Sequence, residues 1–112
     1  MSLVNEQAKF LLDVCKLVQF ADEHGFTVTG GELWRTAEQQ EIYVRTGRSR
    51  TMKSNHLRRL AIDLNFLRGG AVIWDKDELT EVGKFWESLD PKNRWGGNFT
   101  TLKDVPHFER NV

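Results

Sequence analysis

The chain has 112 residues, with 16 Lys and Arg balanced by 16 Asp and Glu, so its formal net charge is zero. That length fits a single domain over residues 1–112 with little room for a second. Neutrality argues against a generic polyanion binder and leaves room only for a local basic patch. Apolar residues make up 39% and charged residues 29%, and 7 Phe and 4 Trp supply large burial area. This is the composition of a soluble globular chain, not a disordered one. One cysteine excludes an internal disulfide framework. No apolar run approaches the roughly 20 residues a membrane span needs, so membrane insertion is not expected. The opening MSLVNEQAKF has no basic segment followed by an apolar one, so no secretory signal is expected.

Residues 3–24 are predicted to form a helix. Val4, Ala8, Leu11, Cys15 and Val18 make one apolar stripe, and Phe10, Val14, Leu17 and Ala21 a neighbouring one. Together they predict a broad inward face, with Cys15 as a small core residue. Ser2 is placed to cap the start and Gly25 to end it, with His24 exposed near the C-terminus. Residues 26–29 alternate as a strand, and Gly30-Gly31 implies a bulge or bend. Thr36 with Gln39 is a capping-box pattern for a helix over 37–46, stopped at Gly47. Residues 47–55, GRSRTMKSN, read as a polar loop.

AIDLNFL, 61–67, reads as a strand with Ile62, Leu64 and Phe66 on one face and Ala61, Asp63 and Asn65 on the other. Gly69-Gly70 turns it into a partner strand, 71–74. Leu79, Val82, Phe85, Trp86 and Leu89 mark an amphipathic helix closed by Asp90-Pro91. The hairpin favours an antiparallel sheet, so the predicted class is α+β, a small antiparallel sheet flanked by helices.

The chemistry centres on two of the three histidines. His56 precedes Asp63 by seven positions, and His107 follows Asp104 by three. Catalytic zinc sites commonly take three His or Asp/Glu ligands and leave a fourth position open. His56, Asp63 and His107 would supply that set, with Asp104 as a spare carboxylate. On a regular strand, Asp104 and His107 would point to opposite faces. Pro106 predicts the bend that lets both meet one site. These spacings alone equally describe a loop histidine, a strand-end aspartate and a packed histidine, and there is no HExxH or CxxC motif.

SNHLRRLAIDL resembles the Ser-x-His-x-x-Gly-x-Ala-x-Asp motif of the D-Ala-D-Ala carboxypeptidase and L-alanyl-D-glutamate endopeptidase family of zinc peptidases. Ser54, His56, Ala61 and Asp63 fall in register. DVPHFE resembles the second motif of that family, WGGNF the Trp-Gly-Gly stretch of its phage endolysin branch, and LWRTAEQQ the preceding arginine element. Two positions depart from the pattern. Arg59 stands where the family has glycine, which implies an ordinary loop conformation there. Asp104 stands for the usual glutamate.

The resemblance implies a Hedgehog/DD-peptidase-like fold. It implies Zn2+ bound by His56, Asp63 and His107, lowering the pKa of its water towards about 7. Asp104 would be the general acid–base, Arg35 the oxyanion stabiliser, and Ser54 a substrate-binding hydroxyl. Trp95, beside Gly96-Gly97, is the candidate wall of the site. Trp86 and Trp74 follow a helix stripe and a strand.

Between Ile42 and Ile62 there is no acid, but there are Arg45, Arg48, Arg50, Lys53, Arg58 and Arg59. This suits either a solvated loop or a rim that attracts an anionic ligand such as a peptidoglycan stem peptide. No nucleic-acid motif accompanies it. The expected activity is hydrolysis of the stem peptide, most of all L-alanyl-D-glutamate cleavage of the endolysin type. Alternatives are a D,D-carboxypeptidase or a non-enzymatic zinc- or wall-binding module. The expected protein is a monomer without a separate wall-binding domain. It would be made in the host cytoplasm and reach the wall after holin-type release.

Overall fold

A computed structural model describes residues 2–112. Helix α1 (Leu3–Glu23) begins at Ser2, whose hydroxyl accepts from the Asn5 amide, and the chain leaves it through Gly25 at φ 87°. The inward face of α1 is narrower than the apolar pattern predicts. Phe10, Val14, Leu17 and Ala21 are buried, whereas Val4, Ala8, Leu11 and Cys15 face outward and only Val18 packs partly against the core. Cys15 is therefore exposed, not a core residue.

Two charges decide this orientation. Glu6 and Asp13 recur at helical spacing with Phe10 and Leu17, and both are buried. Glu6 accepts from Lys92 at 2.8 Å and from Arg110 at 3.2 Å. Asp13 accepts from Lys9 at 2.6 Å and from Asn93 at 3.1 Å. Rotating the other stripe inward would separate these carboxylates from their long-range partners.

The sheet is antiparallel throughout. Its strands are β1 (Thr27–Gly30), β2 (Ala61–Arg68), β3 (Ala71–Val72), β4 (Asn93–Trp95) and β5 (His107–Arg110). Their order is β1-β2-β5-β4, with β3 completing a hairpin with β2 through Gly69-Gly70. The predicted strand over 71–74 pairs only at 71–72, and Trp74 is exposed. Helix α2 (Ala37–Arg45) has the predicted cap, with Thr36 accepting from the Gln39 amide at 3.1 Å. Helix α3 (Lys76–Leu89) is capped by Asp75. The α+β class read from the sequence matches this architecture.

Period-two alternation separates core from site. Ile62, Leu64 and Phe66 of β2 and Phe108 of β5 pack with Leu17, Leu79 and Trp86 of the helices. Asp63 and His107 alternate with those residues and so project from the opposite face. No helix among the described residues is long and apolar enough to cross a membrane.

Candidate active site

The register of β2 on β5 sets Asp63 directly opposite His107. Directly opposed side chains on one face start only about 5 Å apart at Cβ. Gly31 closes the other side of Asp63: its amide donates to the Asp63 carbonyl at 2.8 Å, and a Cβ there would sit 3.0 Å from that oxygen. His56 arrives from a single 3₁₀ turn, Asn55–Arg58, which Ser54 caps by accepting from the His56 amide at 3.2 Å. That turn ends at Arg59 with φ 55° and ψ 37°, a left-handed conformation. The expected ordinary loop conformation is thus corrected. The backbone keeps a glycine-like shape, at a cost of about 1 kcal/mol for an L-residue. The Arg59 guanidinium lies 4.9 Å from the centre of the Trp34 ring, a stacking contact that offsets part of that cost.

Three donor atoms converge. His56 Nε2 lies 3.4 Å and His107 Nδ1 3.6 Å from Asp63 Oδ1, and all three atoms fall within 4.8 Å of one another. Ligands held at about 2.0–2.1 Å on a tetrahedral zinc would lie roughly 3.3 Å apart, so the donor set fits such an ion. The far ring nitrogens fix the lone pairs. His56 Nδ1 donates to the Leu33 carbonyl at 2.9 Å, which leaves Nε2 facing Asp63. His107 Nε2 donates to Glu109 at 2.7 Å, which leaves Nδ1 for the site. His56 Nε2 and Asp63 Oδ1 are both shielded from solvent and without a hydrogen-bond partner. Orphaned polar atoms of this kind are costly unless something binds them.

The electrostatics of the cluster are mutual. Burial pushes the Asp63 carboxyl up, but the closeness of the His107 and His56 imidazoles outweighs it and holds the group well below the usual range. Burial lowers His107, but the neighbouring Asp63 carboxylate and the bond to Glu109 prevail and push it up to about 9. Asp104 moves the other way: burial raises it above its ordinary value, opposed by the positive charge of His107 and reinforced by Asp63.

The bend that Pro106 predicts is a turn in which the His107 amide donates to the Asp104 carbonyl at 3.0 Å. It brings Asp104 Oδ2 to 4.0 Å from His107 Nδ1. Gly96 permits this turn, since a Cβ there would lie 2.1 Å from the Asp104 carbonyl oxygen.

His56, Asp104 and His107 line a cleft of about 330 Å³. Arg35 and Ser54 also line it. Arg35 Nη1 donates to Gln40 at 2.7 Å, its guanidinium pairs with Glu32, and Ser54 lies 3.4 Å away. Trp95 does not line the cleft. It is 1% exposed, its indole donates to the Val105 carbonyl at 2.8 Å, and a Cβ on Gly83 or Gly97 would overlap it at 2.1 or 2.3 Å. The predicted wall residue is a buried pillar behind the 104–107 turn. The glycines of the Trp-Gly-Gly stretch are needed for its packing and for the turn.

Glu109 and Gln40 escaped the sequence reading. Glu109 sits two positions after His107 on the same strand face, a signal that period-two spacing contained. Gln40 is fully buried and joins Arg35 to Ser49 Oγ at 2.8 Å and to the Thr51 carbonyl at 2.6 Å. Only the tertiary fold reveals that link.

A two-histidine, one-aspartate donor set on the polar face of a small antiparallel sheet, beside a free carboxylate and an arginine, defines a candidate metallohydrolase centre. The chain belongs to the D-alanyl-D-alanine carboxypeptidase family, whose model matches residues 47–110, more than half of its length. It is 33% identical over 97 residues to the L-alanyl-D-glutamate peptidase of Listeria phage A118, which covers 86% of this chain and 34% of the phage protein. The chain thus spans about a third of that curated relative. It also superposes on the L-Ala D-Glu endopeptidase ChiX of Serratia marcescens with a TM-score of 0.70 and 28% identity, covering 88% of this chain and 78% of that one.

Proposed function

We propose that this chain is a zinc-dependent peptidase domain that hydrolyses the L-alanyl-D-glutamate bond of peptidoglycan stem peptides. The observation that carries the reading is the convergence of His56 Nε2, Asp63 Oδ1 and His107 Nδ1 with no partner at two of the three atoms. The phage and Serratia relatives, both named for that bond, support the choice of substrate.

His56, Asp63 and His107 would hold the ion. Bound there, zinc supplies a Lewis acid that polarises water and the scissile carbonyl. Asp104 takes the proton of the attacking water on its carboxylate and hands it to the leaving amine nitrogen. Its carboxylate lies 4.0 Å from the His107 donor atom and lines the cleft, within reach of such a water and of the leaving nitrogen. Arg35 keeps a full positive charge at the cleft and offers directional donors where the carbonyl oxygen becomes negative. Glu32 and Gln40 fix its orientation beforehand. Ser54 holds the 3₁₀ turn of His56 and faces the same cleft. The cell wall is the site of action under this reading.

Asp104→Asn is expected to retain its metal and lose roughly 10²- to 10⁴-fold in kcat. Cleavage at the wild-type rate would remove Asp104 from the mechanism. The family description favours a second reading, release of terminal D-Ala. Mass spectrometry of digested peptidoglycan separates the two: new N-terminal D-Glu supports the endopeptidase, and free D-Ala supports the carboxypeptidase.

A further inference from the structure

Charges around the cleft fall into two groups. Arg35 is paired with Glu32, and Arg94 with Glu109. Arg48, Arg50 and Lys53 line the same cleft and make no ion pair among the described residues. No acid lies between residues 42 and 62 to neutralise them. Three unpaired cations on one loop attract an anion, and the walls of a cleft focus that attraction.

That loop is also held in place. The Arg48 and Ser49 amides donate to the Tyr43 carbonyl at 2.8 and 3.1 Å. Gln40 secures Ser49 and Thr51 from within. Arg48 and Arg35 both place their guanidinium carbons over the Tyr43 ring, 4.7 and 4.5 Å from its centre. The two charges can therefore be no farther apart than the sum of those distances. Tyr43 spaces one guanidinium in the catalytic cleft, already matched by an acid, from a second that is unmatched.

We infer that Arg48, set on Tyr43 and assisted by Arg50 and Lys53, is a specificity-determining residue that binds the substrate carboxylate borne on the carbon next to the scissile nitrogen. This rests on the peptidase reading above. A carboxylate in that position lies only two bonds from the reacting nitrogen, so a second guanidinium sharing the Tyr43 ring with Arg35 is near enough to suit it. A guanidinium grips a carboxylate through paired, charge-assisted hydrogen bonds that a carboxamide cannot reproduce. Tyr43 is a positioning residue for this contact.

The test compares two stem peptides that differ only at that group, one with D-Glu carrying a free α-carboxylate and one with its α-carboxamide. The wild-type protein is expected to prefer the acid by on the order of ten- to a hundredfold in kcat/KM. Arg48→Gln should bring that ratio close to one, through KM for the acid and with little change for the amide. Arg48→Lys should recover part of the preference. Metal content and melting temperature should be unchanged in both variants, because Arg48 is an exposed cleft residue outside the donor set. A wild-type ratio near one, or an undiminished ratio in Arg48→Gln, would overturn the subsite and leave the peptidase reading standing. Failure of the wild-type protein to cut either peptide would overturn both.

Discussion

Two charged regions of this molecule differ in how completely they are matched. At the back, Glu6, Asp13 and Asp90 meet Lys9, Lys92 and Arg110, and Asn93 ties Asp13 to the Trp86 carbonyl at 3.1 Å. Asp90 lies 3.0 Å from Arg110, within ion-pair distance. Each charge here has an opposite charge within ion-pair distance, although Asn93 Oδ1 and Arg110 Nε and Nη1 make no hydrogen bond: the pairs fix the face that α1 turns inward and lock it to β5. At the front, His56 Nε2 and Asp63 Oδ1 have no partner, Asp104 is half exposed, and Arg48, Arg50 and Lys53 lack acids. The back uses charge to specify packing. The front leaves charge available to an ion and a ligand, although both regions share strand β5.

The contrast can be broken from either side. The largest effect should come from Arg110→Met, which leaves Glu6 and Asp90 short of a partner beneath α1. A loss of about 2–3 kcal/mol is expected, below the roughly 3–5 kcal/mol of a deeply buried broken pair because Lys92 still reaches Glu6. Urea denaturation measures it, and metal affinity of the folded fraction should stay within a few-fold. A large affinity loss at unchanged stability would show that the back cluster serves the site.

A smaller effect is expected from Glu109→Gln, which weakens the acceptor that orients His107. Competition with a chelator should show metal affinity down by roughly 10- to 100-fold. An unchanged affinity would mean that the strand register alone sets the ring.

Much of this contrast was legible in the sequence. The α+β class, the Thr36 cap, the hairpin at Gly69-Gly70 and the Pro106 bend follow from local chemistry. The four residues His56, Asp63, Asp104 and His107 lie together as expected. What was hidden depends on distant partners. The α1 helix is apolar on two stripes, so hydropathy alone could not choose between them. The choice is made by Glu6 and Asp13, whose partners lie some 80 or more residues away. The glycines beside Trp95 suggest an open wall in the sequence, but in the fold they make room for a buried indole. Arginine at position 59 suggests an ordinary backbone in the sequence, whereas the turn imposes its left-handed shape on that residue.

The central claim is that the front cluster is incomplete without a metal ion. Elemental analysis of protein purified without chelator tests it most directly. The expected result is about one equivalent of zinc per chain, as a three-ligand site requires, lost in Asp63→Ala and kept in Asp104→Asn. Less than about half an equivalent in the wild-type protein, or equal zinc in Asp63→Ala, would contradict the account.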